Sequence, residues 1–134
     1  MTEGTDTEEL NEIRQRKIEQ LQTAGEQQND PIHINGTGEF QDVLDDHALV
    51  LVDFYADWCG PCQMIEPIVE RIAADTAATV AKVDVDANQP LAQEYGIRGI
   101  PALMLVRDGE LVERMTGVQE EGTLRSLVEQ YAPA

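Results

Sequence analysis

Hydrophobic and polar positions along this chain alternate between two periods. Leu49 to Tyr55 (LVLVDFY) is an almost unbroken apolar run, the pattern of a central strand covered on both faces, and Asp53 is its single interruption. Val80 to Val85 (VAKVDV) predicts another strand, and Ile32-His33-Ile34 a short one near the start. Elsewhere the apolar spacing is helical. Phe40, Val43 and Leu44 fall on one face of Glu39 to Asp46, and Met64, Ile65, Ile68, Val69 and Ile72 form a second helical face in which Pro67 is placed to kink the helix. Gln89 to Tyr95 predicts a short helix. Ala102 to Val106 and Glu110 to Met115 flank Asp108-Gly109, a two-residue hairpin signal, and Glu120 to Tyr131 puts Leu124, Leu127 and Val128 on one side of a closing helix. The order βαβαβαββα predicts an α/β fold whose central mixed sheet is parallel at first and ends in an antiparallel hairpin.

The first residues follow a different rule. Glu8 to Gln22 is rich in helix formers, Thr5 and Glu8 are spaced as a capping box, and Leu10, Ile13, Ile18 and Leu21 make only a thin apolar stripe. A solvated helical extension is expected there. Ala24 to Pro31 (AGEQQNDP) is polar and ends in Asp-Pro, which reads as a linker. Residues 1–31 are therefore assigned to an acidic N-terminal extension and linker, and residues 32–134 to one domain.

Charge narrows the class of partner. The chain carries 26 acidic and 9 basic side chains, a formal net charge of −17, with no basic cluster able to form a phosphate-binding face. Nucleic acid and anionic membranes are disfavoured as partners. The acid surplus spans the whole length, so it reports the surroundings more than a site. Self-repulsion of this size strains a compact state in dilute buffer, whereas at ~1 M salt the Debye length falls to about 3 Å. A salt-rich cytoplasm is the expected setting. The N-terminal residues lack a basic region followed by an apolar run, and no stretch approaches the ~20 apolar residues that span a bilayer, so a soluble cytoplasmic protein is expected.

Both cysteines of the chain lie in DFYADWCGPC, as Cys59 and Cys62. A chain of 134 residues can bury a core without a staple, and a bridge closing so short a loop removes little chain entropy. Zinc needs about four ligands, and beyond the cysteines only His33 and His47 remain as nitrogen donors, without a second paired spacing. Redox chemistry fits better. Cys59 falls between a buried strand and a helix, where free amides and the helix dipole favour a thiolate, while Cys62, nearly one turn inside, is expected to be more buried and to keep its proton. That asymmetry suits dithiol exchange, in which one sulfur attacks and its neighbour resolves.

WCGPC following an Asp-Phe-aromatic triplet resembles the thioredoxin family, and the resemblance extends from Ile32 to about Ala132. It implies a thioredoxin fold, with Cys59 as nucleophile and Cys62 as resolving thiol of a protein-disulfide reductase. Asp53 is similar to the family's buried carboxylate, Lys82 to its lysine neighbour on the next strand, and Pro67 to its helix-kinking proline. Ile100-Pro101 is similar to the cis-proline loop facing the cysteines, and Gly109 and Gly117 match the hairpin glycine and a later one at the substrate surface. Trp58, Gly60, Pro61, Ile100, Pro101 and Gly117 are the substrate-contact residues so implied.

The physics of these positions agrees. An Asp inside an apolar strand has its pKa raised by desolvation, which suits it to accept the Cys62 proton, and Lys82 moderates that effect. Three residues depart from the common pattern: Tyr55 where many members have Trp, Gln63 where Lys or Arg is common, and Ala102 where Thr is frequent. A binding module built on the same fold would not need both cysteines. Gly60-Pro61 brings no charge between the thiols, so the expected direction is reduction of client disulfides. No nucleotide-binding glycine motif is present, so a separate enzyme, thioredoxin reductase by the resemblance, recharges the pair. No cofactor beyond the dithiol and no partner chain is expected, leaving a monomer that meets disulfide-containing client proteins. The salt reading is tested by thermal unfolding: the midpoint is expected to rise between low salt and about 1 M KCl, and a flat or falling midpoint contradicts it.

Overall fold

A computed structural model describes residues 30–133, in which strands β1 (Ile32–His33), β2 (Leu49–Tyr55), β3 (Thr79–Asp84), β4 (Ala102–Arg107) and β5 (Glu110–Thr116) form one sheet. Helices α1 (Thr37–Asp46), α2 (Gly60–Asp75), α3 (Gln89–Glu94) and α4 (Glu121–Tyr131) lie between and after them. The helix read over Glu8 to Gln22, and most of the linker, lie outside the described residues.

The sheet order is β1-β3-β2-β4-β5, with β3 parallel to both β1 and β2, and β4 antiparallel to β2 and β5. β2 and β3 are thus interior strands, and side-chain alternation sends successive residues to opposite layers. Val50, Val52 and Phe54 of β2 join Ala81, Val83 and Met104 against Phe40 of α1 and Leu91 of α3. Leu49 and Leu51 join Val80, Leu103 and Leu105 against Ile65, Val69 and Ile72 of α2 and Leu124 and Val128 of α4. Two-sided cover is why β2 reads as a continuous apolar run. Asp53 shares the odd positions of β2 and so faces the α2 layer.

Most element ends fall within two residues of the pattern. Asp108 (φ 50°) and Gly109 (φ 81°) both take the left-handed backbone that a two-residue hairpin of matching twist demands, and β4 and β5 pair across them. Met64 differs from the expectation: it is exposed, because the α2 stripe facing the sheet runs through Ile65, Val69 and Ile72. Pro67 sits inside α2 as expected and leaves the Gln63 carbonyl without its helical donor. Asn88, buried before α3, was not singled out by pattern. Its Oδ1 accepts from Gly36 N at 2.8 Å and its Nδ2 donates to the Asp84 carbonyl at 3.0 Å, tying the start of α1 to the end of β3.

The α1 layer depends on one aromatic group. Phe40 is fully buried with its ring edge-on to Tyr95 at 5.5 Å, and Tyr95 also meets Phe54 at 6.3 Å. Phe40→Ala is expected to cost about 3–5 kcal/mol in urea unfolding, while Met64→Ala on the exposed side of α2 leaves the midpoint nearly unchanged.

Candidate active site around Cys59 and Cys62

β2 ends at Tyr55, and after four residues the chain turns into α2 at Gly60. Cys59 is the N-cap of that helix, and its Sγ accepts a hydrogen bond from the Cys62 amide at 3.2 Å. Pro61 fills one of the first two helical positions, where a missing N–H costs nothing and the fixed φ favours helix. The two sulfurs are joined as a disulfide, with Cα atoms 5.3 Å apart. Sulfur chemistry is therefore placed at the positive end of α2, as the spacing predicted. The two cysteines are not separated by burial, however: Cys59 is 3% exposed and Cys62 4%. The bonded pair packs as one unit with Ala56, Tyr55, Val85 and Ile100, so the turn inside the helix gives Cys62 no extra cover.

The loop before β4 closes over the same spot. Ile100-Pro101 is a cis peptide, and the Ile100 carbonyl lies 3.9 Å from Cys59 Sγ. Gly117 N donates to the Pro101 carbonyl at 2.7 Å, binding the end of β5 to this loop. Trp58 is 72% exposed, and its indole Nε1 donates to Asp86 Oδ2 at 2.8 Å, fixing the ring beside Cys59 from the loop after β3. Gly60 and Pro61 are exposed as well. Cys59, Trp58, Gly60, Pro61, Ile100, Pro101 and Gly117 thus come together from three segments distant in sequence.

Beneath them lies a charged group. Asp53 is 1% exposed and stands directly opposite Lys82 in the β2–β3 register, with Lys82 Nζ 3.9 Å from Asp53 Oδ2. Burial pushes the Asp53 carboxyl up from 3.8 to about 6; Lys82 pulls it down and Glu66 pushes it further up. Asp53 Oδ1 has no hydrogen-bond partner among the described residues. Lys82, 4% exposed, makes its short contact elsewhere: its Nζ is 2.9 Å from Glu66 Oε1 and 4.5 Å from the centre of the Tyr55 ring. Asp86 and Glu66 escaped the sequence reading. Asp86 is one acid among many, and only the fourth-residue spacing from Cys62 along α2 marks Glu66.

Among the described residues no group of three or more His, Cys, Asp and Glu side chains could hold a metal ion, and no helix is long and apolar enough to cross a membrane. His33 is exposed, and His47 Nδ1 lies 3.2 Å from Thr79 Oγ1, well away from the cysteines in sequence and element.

Comparison with known proteins agrees with this geometry. The family model described as thioredoxin matches residues 31–130. A thioredoxin of Pyropia yezoensis is 43% identical over 93 residues, covering 68% of this chain and 87% of its own length, and a Synechocystis thioredoxin matches to the same extent. Among solved structures, a mutant thioredoxin from Halobacterium salinarum NRC-1 is 52% identical with a TM-score of 0.77, covering 80% of this chain and 95% of its own. A Plasmodium falciparum thioredoxin is 31% identical with a TM-score of 0.69, covering 75% and 99%. A match of this length, over a domain whose disulfide joins Cys59 to Cys62, places the chain in the thioredoxin family, as a protein-disulfide oxidoreductase that works by dithiol–disulfide exchange.

Proposed function

We propose that Cys59 is the attacking sulfur and Cys62 the resolving one, with electrons passing from the dithiol to disulfides of client proteins. The carrying observation is the hydrogen bond from the Cys62 amide to Cys59 Sγ at the start of α2, since in the reduced protein that amide and the helix dipole favour negative charge on Cys59. The Cys59 thiolate attacks one sulfur of the client disulfide, the other leaves as a thiolate, and a mixed disulfide remains. Cys62 then loses its proton and attacks Cys59 Sγ. The second client thiol departs and the Cys59–Cys62 disulfide is restored.

Asp53 takes the Cys62 proton in that second step, and Lys82 sets how readily it does so. A carboxyl that titrates near 6 is close to working pH, where a base combines ionisation with proton affinity. Trp58, Gly60, Pro61 and Gly117 supply the contact surface, and the Ile100 main chain beside Cys59 offers a β-type pairing edge to an extended client segment, with Pro101 closing it from below. Thioredoxin reductase restores the dithiol by supplying two electrons, and no cofactor beyond the cysteine pair takes part. A salt-rich cytoplasm is the setting, supported by the charge of −17 and by the Halobacterium salinarum neighbour. The family match begins at residue 31, which supports a working domain of residues 32–134 with residues 1–31 as an appendage.

Insulin reduction with dithiothreitol as electron source tests the order of the sulfurs. Cys59→Ser is expected to abolish turnover, Cys62→Ser to trap clients as mixed disulfides, and a chain lacking residues 1–31 to retain nearly full activity. Undiminished turnover in Cys59→Ser contradicts the assignment.

Asp53 carries a thermodynamic signature too. Its pKa is raised in the fold, so its share of stability is full below about 3.8 and is lost as pH rises through about 6. At neutral pH the buried carboxylate costs the fold about 3 kcal/mol. Asp53→Asn is therefore expected to stabilise the oxidised protein above pH 6, with the gain vanishing toward pH 4, and to slow resolution of a mixed disulfide without slowing attack. Denaturant unfolding across pH and single-turnover kinetics read the two effects separately.

A further inference from the structure

A buried carboxylate with a lysine opposite it would ordinarily capture that ammonium, because their attraction is strong where water is excluded. Here it does not. Lys82 Nζ stands 3.9 Å from Asp53 Oδ2 but 2.9 Å from Glu66 Oε1, and Asp53 Oδ1 is left without a hydrogen-bond partner among the described residues. Two features hold the ammonium off. Glu66 follows Cys62 by one helical turn of α2 and so shares its face, and the Tyr55 ring presents its π surface to Nζ at 4.5 Å. Glu66 is 46% exposed, so its carboxylate keeps part of its hydration while binding a lysine that is almost fully buried.

We propose that Glu66 is a positioning residue for disulfide exchange: by holding the Lys82 ammonium to itself, it withholds that cation from Asp53 and leaves the buried carboxylate free to take the Cys62 proton. The inference rests on Asp53 being the proton acceptor. Charge acts in the same direction as distance, because Glu66 itself repels a proton-free Asp53.

Glu66 also lines the cleft that reaches the resolving cysteine. This cleft of about 200 Å³ is lined by Tyr55, Asp57, Cys62, Gln63, Glu66 and Lys82, and it joins the resolving cysteine to the surface beside Asp53's partner lysine. The charged and titratable groups acting with Asp53 are Lys82 on β3, Glu66 on α2 and Tyr55 on its own strand, while His33 on β1 and Asp57 in the β2–α2 loop line the neighbouring cleft with the bonded Cys62. From β4 Asp53 meets Leu103, which is apolar. Of these, Lys82 lowers and Glu66 raises the Asp53 titration, beneath the larger effect of burial.

The test compares Glu66→Ala, Glu66→Gln, Glu66→Asp and Asp53→Asn with the unaltered full chain. Carbon-13 NMR of the Asp53 carboxyl gives its titration midpoint, and single-turnover resolution of a mixed disulfide with a cysteine peptide gives the rate across neutral pH. Glu66→Ala is expected to lower the Asp53 midpoint by roughly one pH unit, the size of effect an opposite charge has on closer approach. Resolution at neutral pH then slows by roughly threefold, as a weaker base requires, while attack by Cys59 is unchanged. Glu66→Gln shifts the midpoint less, since its amide oxygen still accepts from Lys82, and Glu66→Asp, which keeps the charge, restores most of both.

The outcomes separate cleanly. An unmoved Asp53 midpoint or an unchanged resolution rate in Glu66→Ala, with Asp53→Asn still slow, overturns the role of Glu66 and leaves Asp53 in place. Normal resolution in Asp53→Asn overturns the acceptor reading and this inference with it.

Discussion

The closure of β2 on both faces is the constraint from which the site follows. Val50, Val52 and Phe54 pack into one layer and Leu49 and Leu51 into the other, so the strand has no solvent side on which a polar residue could rest. Asp53 is forced into the α2 layer with Leu49 and Leu51, and its charge becomes expensive wherever it cannot find a partner. The same closure sends the chain out only at the end of β2. There α2 starts at once, and its unpaired amides meet Cys59. One packing arrangement thus gives both a sulfur held at a helix terminus and a carboxyl held out of water beneath it.

Periodicity made the frame legible because burial is periodic. LVLVDFY has the bounds of β2, and Asp108-Gly109 marks the turn between β4 and β5, since each rests on local rules that the final packing did not override. The helix ends were less legible: α1 begins at Thr37, two residues before the Glu39 start read from the pattern, because no core residue announces its first turn. Long-range polar partners were not legible at all. Asp86 reaches Trp58 across 28 residues and Lys82 reaches Glu66 across 16, and nothing in a strongly acidic sequence distinguishes these two acids from the rest. The equal burial of the two cysteines was missed for a related reason. Depth along a helix predicts cover only when the neighbouring loop is absent, and here the Ile100-Pro101 segment covers Cys59 from across the sheet.

Two of the three departures from the common family pattern, Tyr55 and Gln63, share a setting. Tyr55 places a ring face against the Lys82 ammonium, and Gln63 lines the same cleft without adding a second cation there. Gln63 instead donates to the Asp57 carbonyl at 3.0 Å, holding the β2–α2 loop against the first turn of the helix. The cleft therefore holds one lysine and two carboxylates, Asp57 and Glu66. Its balance is set by which acid the lysine faces.

Salt divides the electrostatics of this protein into two regimes. At molar ionic strength the exposed acids scarcely sense one another across more than about 3 Å, and surface pairs such as Arg125 with Asp75 are weakened in the same way. Asp53 and Lys82 are closed to the counterions that do the screening, being 1% and 4% exposed. Salt that relieves the repulsion of a −17 surface thus leaves the buried carboxylate and its ammonium nearly as they were. Of Asp53, Lys82 and Glu66 only Glu66 stands half in solvent, so salt acts on the Lys82–Glu66 pair more than on Lys82–Asp53.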